Sequence, residues 1–148
     1  MSEPKKVVPR NVENPYFTHC FVCGPENKGG MHLKNEYIDG KAHMEMDTKE
    51  WQTGLTGLVH GGFNCMLLDE IMYYAIMPLD VDVVTVNMNI DFKNAAKMGH
   101  TLIAEGWVEK REGRKIWAHG IVKDGENTVV EATGFYLVVD LDKFINVE

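Results

Sequence analysis

Two carboxylates lie inside an otherwise apolar run. Asp69 and Glu70 fall within residues 63–77, straight after the turn Gly57-Leu58-Val59-His60-Gly61-Gly62. A carboxyl group held among apolar side chains is costly to ionise, which moves it toward what a general base needs near neutral pH. If 63–77 is a helix, Asp69 shares a face with Cys65, Met72 and Ile76, while Glu70 lies about 100° further round, beside Phe63, Met66 and Tyr74. The two acids therefore cannot easily share one task. The glycines supply the complementary half. Backbone N–H groups at a helix start lack intrahelical partners and carry partial positive charge, and glycine lets a ligand approach the backbone closely. An enclosed acid and exposed amides converging on one carbonyl are what attack on an activated acyl group requires.

The elements that must position these groups can be read from the pattern. On a helical wheel Phe63, Met66, Leu67, Tyr74 and Met77 take one side, Cys65, Met72 and Ile76 the other, and Leu68, Ile71 and Ala75 fill between. A helix apolar all round is buried, and this one is too short and too charged to span a bilayer. It ends before Pro78. Residues 31–37 and 41–47 read as strands around an Asp39-Gly40 turn. After the helix come strands over 84–92, 102–108, 116–122 and 129–139, joined mostly as a meander through hairpin turns at Gly113 and Gly125. Strict alternation over 84–92 sets Val84, Val86, Met88, Ile90 and Phe92 on one face and Thr85, Asn87, Asn89 and Asp91 on the other. The class is α+β: an antiparallel sheet curved around one long buried helix. Residues 1–30 read as an N-terminal arm with a Cys-x-x-Cys turn, and 31–148 as the domain proper.

The formal net charge of −7 argues against nucleic acid as the main partner, since phosphate backbones need a basic face. No signal-like apolar run opens the chain, so the cytoplasm is the expected compartment. Three cysteines do not make a secreted disulfide framework. Cys20 and Cys23 have the spacing of half a zinc knuckle, but a structural zinc takes four ligands and no second pair follows. His19, His32 or Cys65 would complete a site only by accident of fold. The pair is read as two small buried residues in a tight turn, with no metal and no cofactor expected.

In their order and spacing, His60-Gly61-Gly62, Leu68-Asp69-Glu70, the strand over 86–92, and Ala96-Lys97-Met98-Gly99 resemble the hotdog-fold acyl-CoA thioesterases, in particular the phenylacetate-degradation type. The opening Cys20-Phe21-Val22-Cys23-Gly24-Pro25-Glu26-Asn27, followed by Gly30-Met31-His32-Leu33, resembles a signature of one branch. The resemblance implies hydrolysis of an acyl-CoA thioester to the free acid and coenzyme A. Asp69, nine positions after His60, would activate water or attack the thioester directly. The Gly61 N–H would hold the oxyanion, and Thr85 would steady the attacking water. His60 would organise the turn. Gly62, Asn64, Glu70 and Gln52 are further candidates near substrate. Gln52 stands in for an asparagine that many relatives carry six positions before the histidine, where this chain has Gly54. Trp51, Tyr73 and Tyr74 would line an acyl slot. Arg114, with Lys93, Lys97, Arg111 and Lys115, would meet the coenzyme's phosphates. The resemblance also implies a homodimer or a dimer of dimers with sites built from both chains. The alternative is an acyl-CoA-binding hotdog protein without turnover.

Overall fold

The computed structural model describes residues 16–146; the first half of the expected N-terminal arm, residues 1–15, lies outside them. Six strands form one antiparallel sheet: β1 (Asn35–Ile38), β2 (Lys41–Asp47), β3 (Val83–Phe92), β4 (Thr101–Glu112), β5 (Lys115–Asp124) and β6 (Asn127–Val138). The strand order is β1-β2-β4-β5-β6-β3. A helix, α1 (Gly61–Ile76), lies against its concave face, and a short helix, α2 (Leu141–Ile145), follows β6. This is the hotdog architecture expected from the sequence. The meander, however, holds only for β4-β5-β6. β3 does not pair with β4; it crosses to the far edge and pairs with β6.

The sheet can bed a helix because it is hollowed along one row. Ala42 pairs with Gly106, Gly106 with Gly120, and Gly120 with Ala132, so small residues run across four strands. A Cβ on Gly106 would come within 2.8 Å of the Ile71 carbonyl oxygen, and one on Gly120 within 3.0 Å of Met72 Cγ and 3.2 Å of Leu68 Cδ2. Leu68, Ile71, Met72 and Ile76 are wholly buried in this contact. The near-absence of a polar face on α1 follows: the sheet covers one side, and the N-terminal turn and the loop before the helix cover much of the other.

The strict alternation expected for β3 fails at one point. Thr85 pairs with Tyr136 and Asn87 with Phe135, leaving Val86 as an extra, bulged residue. A bulge resets which residues face inward. Val83 and Thr85 face the helix before it, Met88 and Ile90 after it, and Val86 is pushed out to solvent. The N-terminal turn is also more closely integrated than an arm. The N–H groups of Met31 and Leu33 bond the carbonyls of Phe21 and Val22 at 2.8 Å each, so 31–34 pairs with the turn and β1 is shorter than expected. The residues around Pro78 form a 3-10 turn, Met77–Leu79, that ends the helix as expected.

Candidate active site

At the start of α1 the three residues of the His-Gly-Gly turn have separate jobs. His60 is the N-cap, and its Nδ1 accepts the Gly62 N–H at 2.9 Å. This satisfies one orphan amide and places the imidazole proton on Nε2. A side chain on Gly62 would press to 2.9 Å of that ring atom, so glycine is needed there for space. The Gly62 amide is therefore committed to the cap. The Gly61 amide has no hydrogen-bond partner among the described residues. Gly61 lies beneath the exposed ring of Phe92, whose Cε1 would be 3.3 Å from a Cβ on it.

Two turns further on, Thr85 Oγ1 donates to Asp69 Oδ1 at 2.9 Å. The bulge in β3 makes this possible by turning Thr85 toward the helix. The Tyr136 hydroxyl, from the wholly buried ring on β6, reaches the Asp69 backbone carbonyl at 3.4 Å. Burial, and then the negative charge of Asp69, push the Tyr136 phenol upward, so it stays a neutral donor. Tyr136 has no counterpart in the sequence reading, because a tyrosine on the inward face of a strand reads as core. Asp69 itself is half-buried and makes no ion pair among the described residues.

The acid that is enclosed is Glu70. Burial first, and then the neighbouring Cys20, raise its carboxyl to about 7. It points away from Thr85, under the Cys20–Cys23 turn. Cys20 Sγ lies 3.9 Å from Oε2, and Oε1 is buried without a hydrogen-bond partner among the described residues. Glu70 is therefore engaged within its own chain, because the N-terminal turn covers this side of the helix.

The remaining candidates are dispersed. Gln52 is wholly buried; its Oε1 accepts the Lys49 N–H at 2.7 Å and its Nε2 faces Met46 Sδ at 3.5 Å, closing the 3-10 turn Glu50–Gln52. Asn64, expected near substrate, is 3% exposed with Oδ1 unpartnered among the described residues. Arg114 donates from Nε and Nη2 to the Val138 carbonyl, at the β4–β5 hairpin end of the sheet. The cations expected for phosphate binding thus divide between two ends. Arg111, Arg114 and Lys115 occupy that hairpin end, whereas Lys93 follows Phe92 and Lys97 bridges Leu58 beside the start of α1. Trp51 packs edge-on against Phe63, with ring centroids 5.5 Å apart.

A cleft of about 590 Å³ lies by β2, the segment through Met31 and the turn at Trp51, and neither acid lines it. The chemistry points instead to a cavity of about 120 Å³ lined by Asp69, Glu70, Cys20, Cys23, Tyr73 and Tyr74. It is far too small for an acyl-CoA. The spacing along the helix explains why. Gly61 and Asp69 are eight residues apart, hence about 12 Å along the axis, whereas an oxyanion donor and an attacking group must both lie about 3 Å from one reacting centre. Within one chain the acid and the free amide do not converge, and both lie beside β3, an edge strand of the sheet.

An α+β hotdog sheet packed on one long helix, with an acid-hydroxyl pair and a glycine-rich helix start, is a thioesterase-type architecture. The family model of the thioesterase superfamily matches residues 56–131, and the chain belongs to that superfamily. Among curated relatives, the acyl-coenzyme A thioesterase THEM4 of Xenopus laevis is 29% identical over 86 residues, covering 57% of this chain and 39% of that protein. The chain thus matches about two-fifths of that relative's length. Among solved structures, zebra fish thioesterase superfamily member 2 aligns with a TM-score of 0.71 at 23% identity, over 84% of this chain and 94% of the other. A hypothetical thioesterase protein from Streptococcus pneumoniae TIGR4, solved with coenzyme A, aligns with a TM-score of 0.67 at 22% identity, over 72% and 88%. The streptococcal protein has also been solved as two alanine variants, at an aspartate and at a threonine sixteen positions later. These structural likenesses establish the fold. No helix among the described residues is long and apolar enough to cross a membrane.

Proposed function

We propose that the protein is an acyl-CoA thioesterase whose active site forms between two copies of the chain. Asp69, as general base or as nucleophile, supplies the attack. Thr85 orients it through the 2.9 Å hydrogen bond to Oδ1, and the free Gly61 amide of the second copy receives the oxyanion. The separation of Gly61 from Asp69 within one chain is the observation that carries the reading, because it leaves each half-site incomplete. The sixteen-residue spacing from Asp69 to Thr85 is also that of the two residues altered in the streptococcal relative.

The edge strand supplies the join. Along β3, Thr85 stands beside Asp69 and Phe92 beside Gly61. An antiparallel pairing of two β3 strands centred on Asn89, with the bulged Val86 left out of the ladder, sets Phe92 of one copy opposite Thr85 of the other. Gly61 of the first copy then comes beside Asp69 of the second. An exposed edge carrying Val86 and Phe92, at 53% and 62% exposure, is a surface that favours strand pairing, and the resulting dimer is isologous. Lys93 and Lys97 flank the same helix start and are the cations best placed for the coenzyme's phosphates.

The test is thiol release from a panel of saturated, hydroxylated and aromatic acyl-CoAs. Asp69→Asn is expected to lose at least about a hundredfold in kcat, the low end for removing a positioned base, with its fold intact by circular dichroism. Unchanged turnover removes Asp69 from the mechanism. Thermal stabilisation by acyl-CoA without any turnover by the wild type replaces the enzyme with a binding module.

A further inference from the structure

The geometry points to a divalent metal site, best suited to zinc, formed by Cys20, Cys23 and Glu70 where the N-terminal turn meets α1. The two Sγ atoms and a Glu70 carboxylate oxygen all lie within 4.8 Å of one another, with Cys20 Sγ to Oε2 at 3.9 Å. Tetrahedral zinc with thiolate and carboxylate bonds of the usual length holds neighbouring ligand atoms about 3.6–3.8 Å apart. The cluster therefore needs only a small contraction.

Three independent features prepare it. The turn is closely folded: the Gly24 N–H bonds the Cys20 carbonyl at 2.9 Å, which brings Cys23 back beside Cys20. The turn can close this tightly only with glycine at 24, since a Cβ there would meet the Cys20 backbone nitrogen at 2.3 Å and the Thr18 carbonyl oxygen at 2.6 Å. The Tyr74 hydroxyl donates to Cys23 Sγ at 3.3 Å, an outer contact of the kind that orients a ligating thiolate. Glu70 contributes the third feature, an oxygen buried with no hydrogen-bond partner among the described residues. An orphaned carboxylate oxygen among sulfurs is costly, and a cation offsets that cost. Three protein ligands leave a fourth position toward the cavity they line, which at about 120 Å³ has room for a water. The ligand set, two thiolates and one carboxylate, suits zinc better than calcium or magnesium, which prefer all-oxygen sites. The other ligands that the sequence offers do not take part. His19 turns to Glu26 and Thr18, and His32 to the Asn27 carbonyl.

The inference stands apart from the thioesterase reading. A bound ion would pin the N-terminal turn to the helix one residue from Asp69 whatever reaction Asp69 serves. Binding requires deprotonated ligands, so it releases protons.

The test uses the full chain, purified under reducing conditions. Metal content is measured by elemental mass spectrometry as isolated, then after chelator treatment and titration with zinc. Cobalt is titrated in parallel, because thiolate coordination gives a charge-transfer band in the near ultraviolet. One equivalent of zinc, a higher Tm on rebinding, and a cobalt band lost in Cys20→Ser and Cys23→Ser are expected. Tyr74→Phe should weaken binding about tenfold through the outer contact. The chelated wild type keeps the test decisive if a cysteine variant fails to fold, since it carries every ligand. If the reduced, chelated protein takes up no stoichiometric zinc, or gives no cobalt–thiolate band, the site does not exist. A Cys20–Cys23 disulfide in place of metal overturns the inference equally.

Discussion

Asp69 and Glu70 are adjacent in sequence and face different worlds. Asp69 meets Thr85 and the open edge of the sheet; Glu70 is shut beneath the Cys20–Cys23 turn. The pairing with Thr85 predicts a modest role for the hydroxyl. Thr85→Ala removes one hydrogen bond to the acid, so kcat should fall about tenfold while KM changes little. A variant with unchanged kcat would make the contact structural. Glu70 predicts a pH effect on stability. Its carboxyl in the folded protein is raised from 4.5 to about 7, by burial and then by Cys20. The groups facing it are Cys20 and Cys23 from the turn, and Asp69 and Tyr74 on its own helix. A raised acid contributes stability that is complete below its unfolded value and is lost as pH rises through the folded one. Chelated protein should therefore lose up to about 3 kcal/mol between pH 4.5 and 7 relative to Glu70→Gln. Denaturant midpoints measured across that range check it; parallel profiles for the two proteins would contradict it. Sequence spacing could identify the two acids as exceptional but not separate their surroundings. The residues that enclose Glu70 lie fifty positions upstream.

The helix and the strands around it were largely legible, because α1 is apolar on every side and β4, β5 and β6 alternate cleanly. What hid from the pattern was the bulge at Val86. Val84, Val86, Met88, Ile90 and Phe92 make an unbroken apolar alternation, and only pairing with Tyr136 and Phe135 reveals the extra residue. The bulge is what brings Thr85 to Asp69. The row of small residues was also unreadable, since Ala42, Gly106, Gly120 and Ala132 become neighbours only in register. That row predicts a sharp steric limit. Gly120→Val would drive a branched side chain into Met72 and Leu68, and overpacking of this kind costs about 1–3 kcal/mol. Thermal unfolding should show a clear drop in Tm; an unchanged Tm would mean that α1 does not bed on this row.

At the scale of the whole molecule, in the proposed reading one chain holds two half-sites at opposite ends of β3. If β3 joins to β3, placing lysines near the two-fold centre should separate the copies by like-charge repulsion. Asn87→Lys with Asn89→Lys is expected to sediment as a monomer and to lose turnover while retaining its fold. A dimer that persists with full activity would move the interface elsewhere. Beyond the family resemblance, a single sequence carries no direct mark of the proposed composite site. It follows from a helix whose eight-residue interval is too long for one carbonyl, and from an edge strand left bare.

The most direct measurement mixes two inactive variants. Gly61→Pro deletes the oxyanion amide at the first helical position, where proline is well tolerated and where the preceding residue, His60, already has the extended backbone that proline requires (φ −58°, ψ 132°). Asp69→Asn deletes the proposed attacking group. Each alone should lose at least about a hundredfold in acyl-CoA hydrolysis. Refolded together, every mixed dimer holds one site with both groups intact, so random mixing should restore about one-quarter of wild-type turnover. No recovery, with mixed dimers shown to have formed, would contradict a site shared between chains.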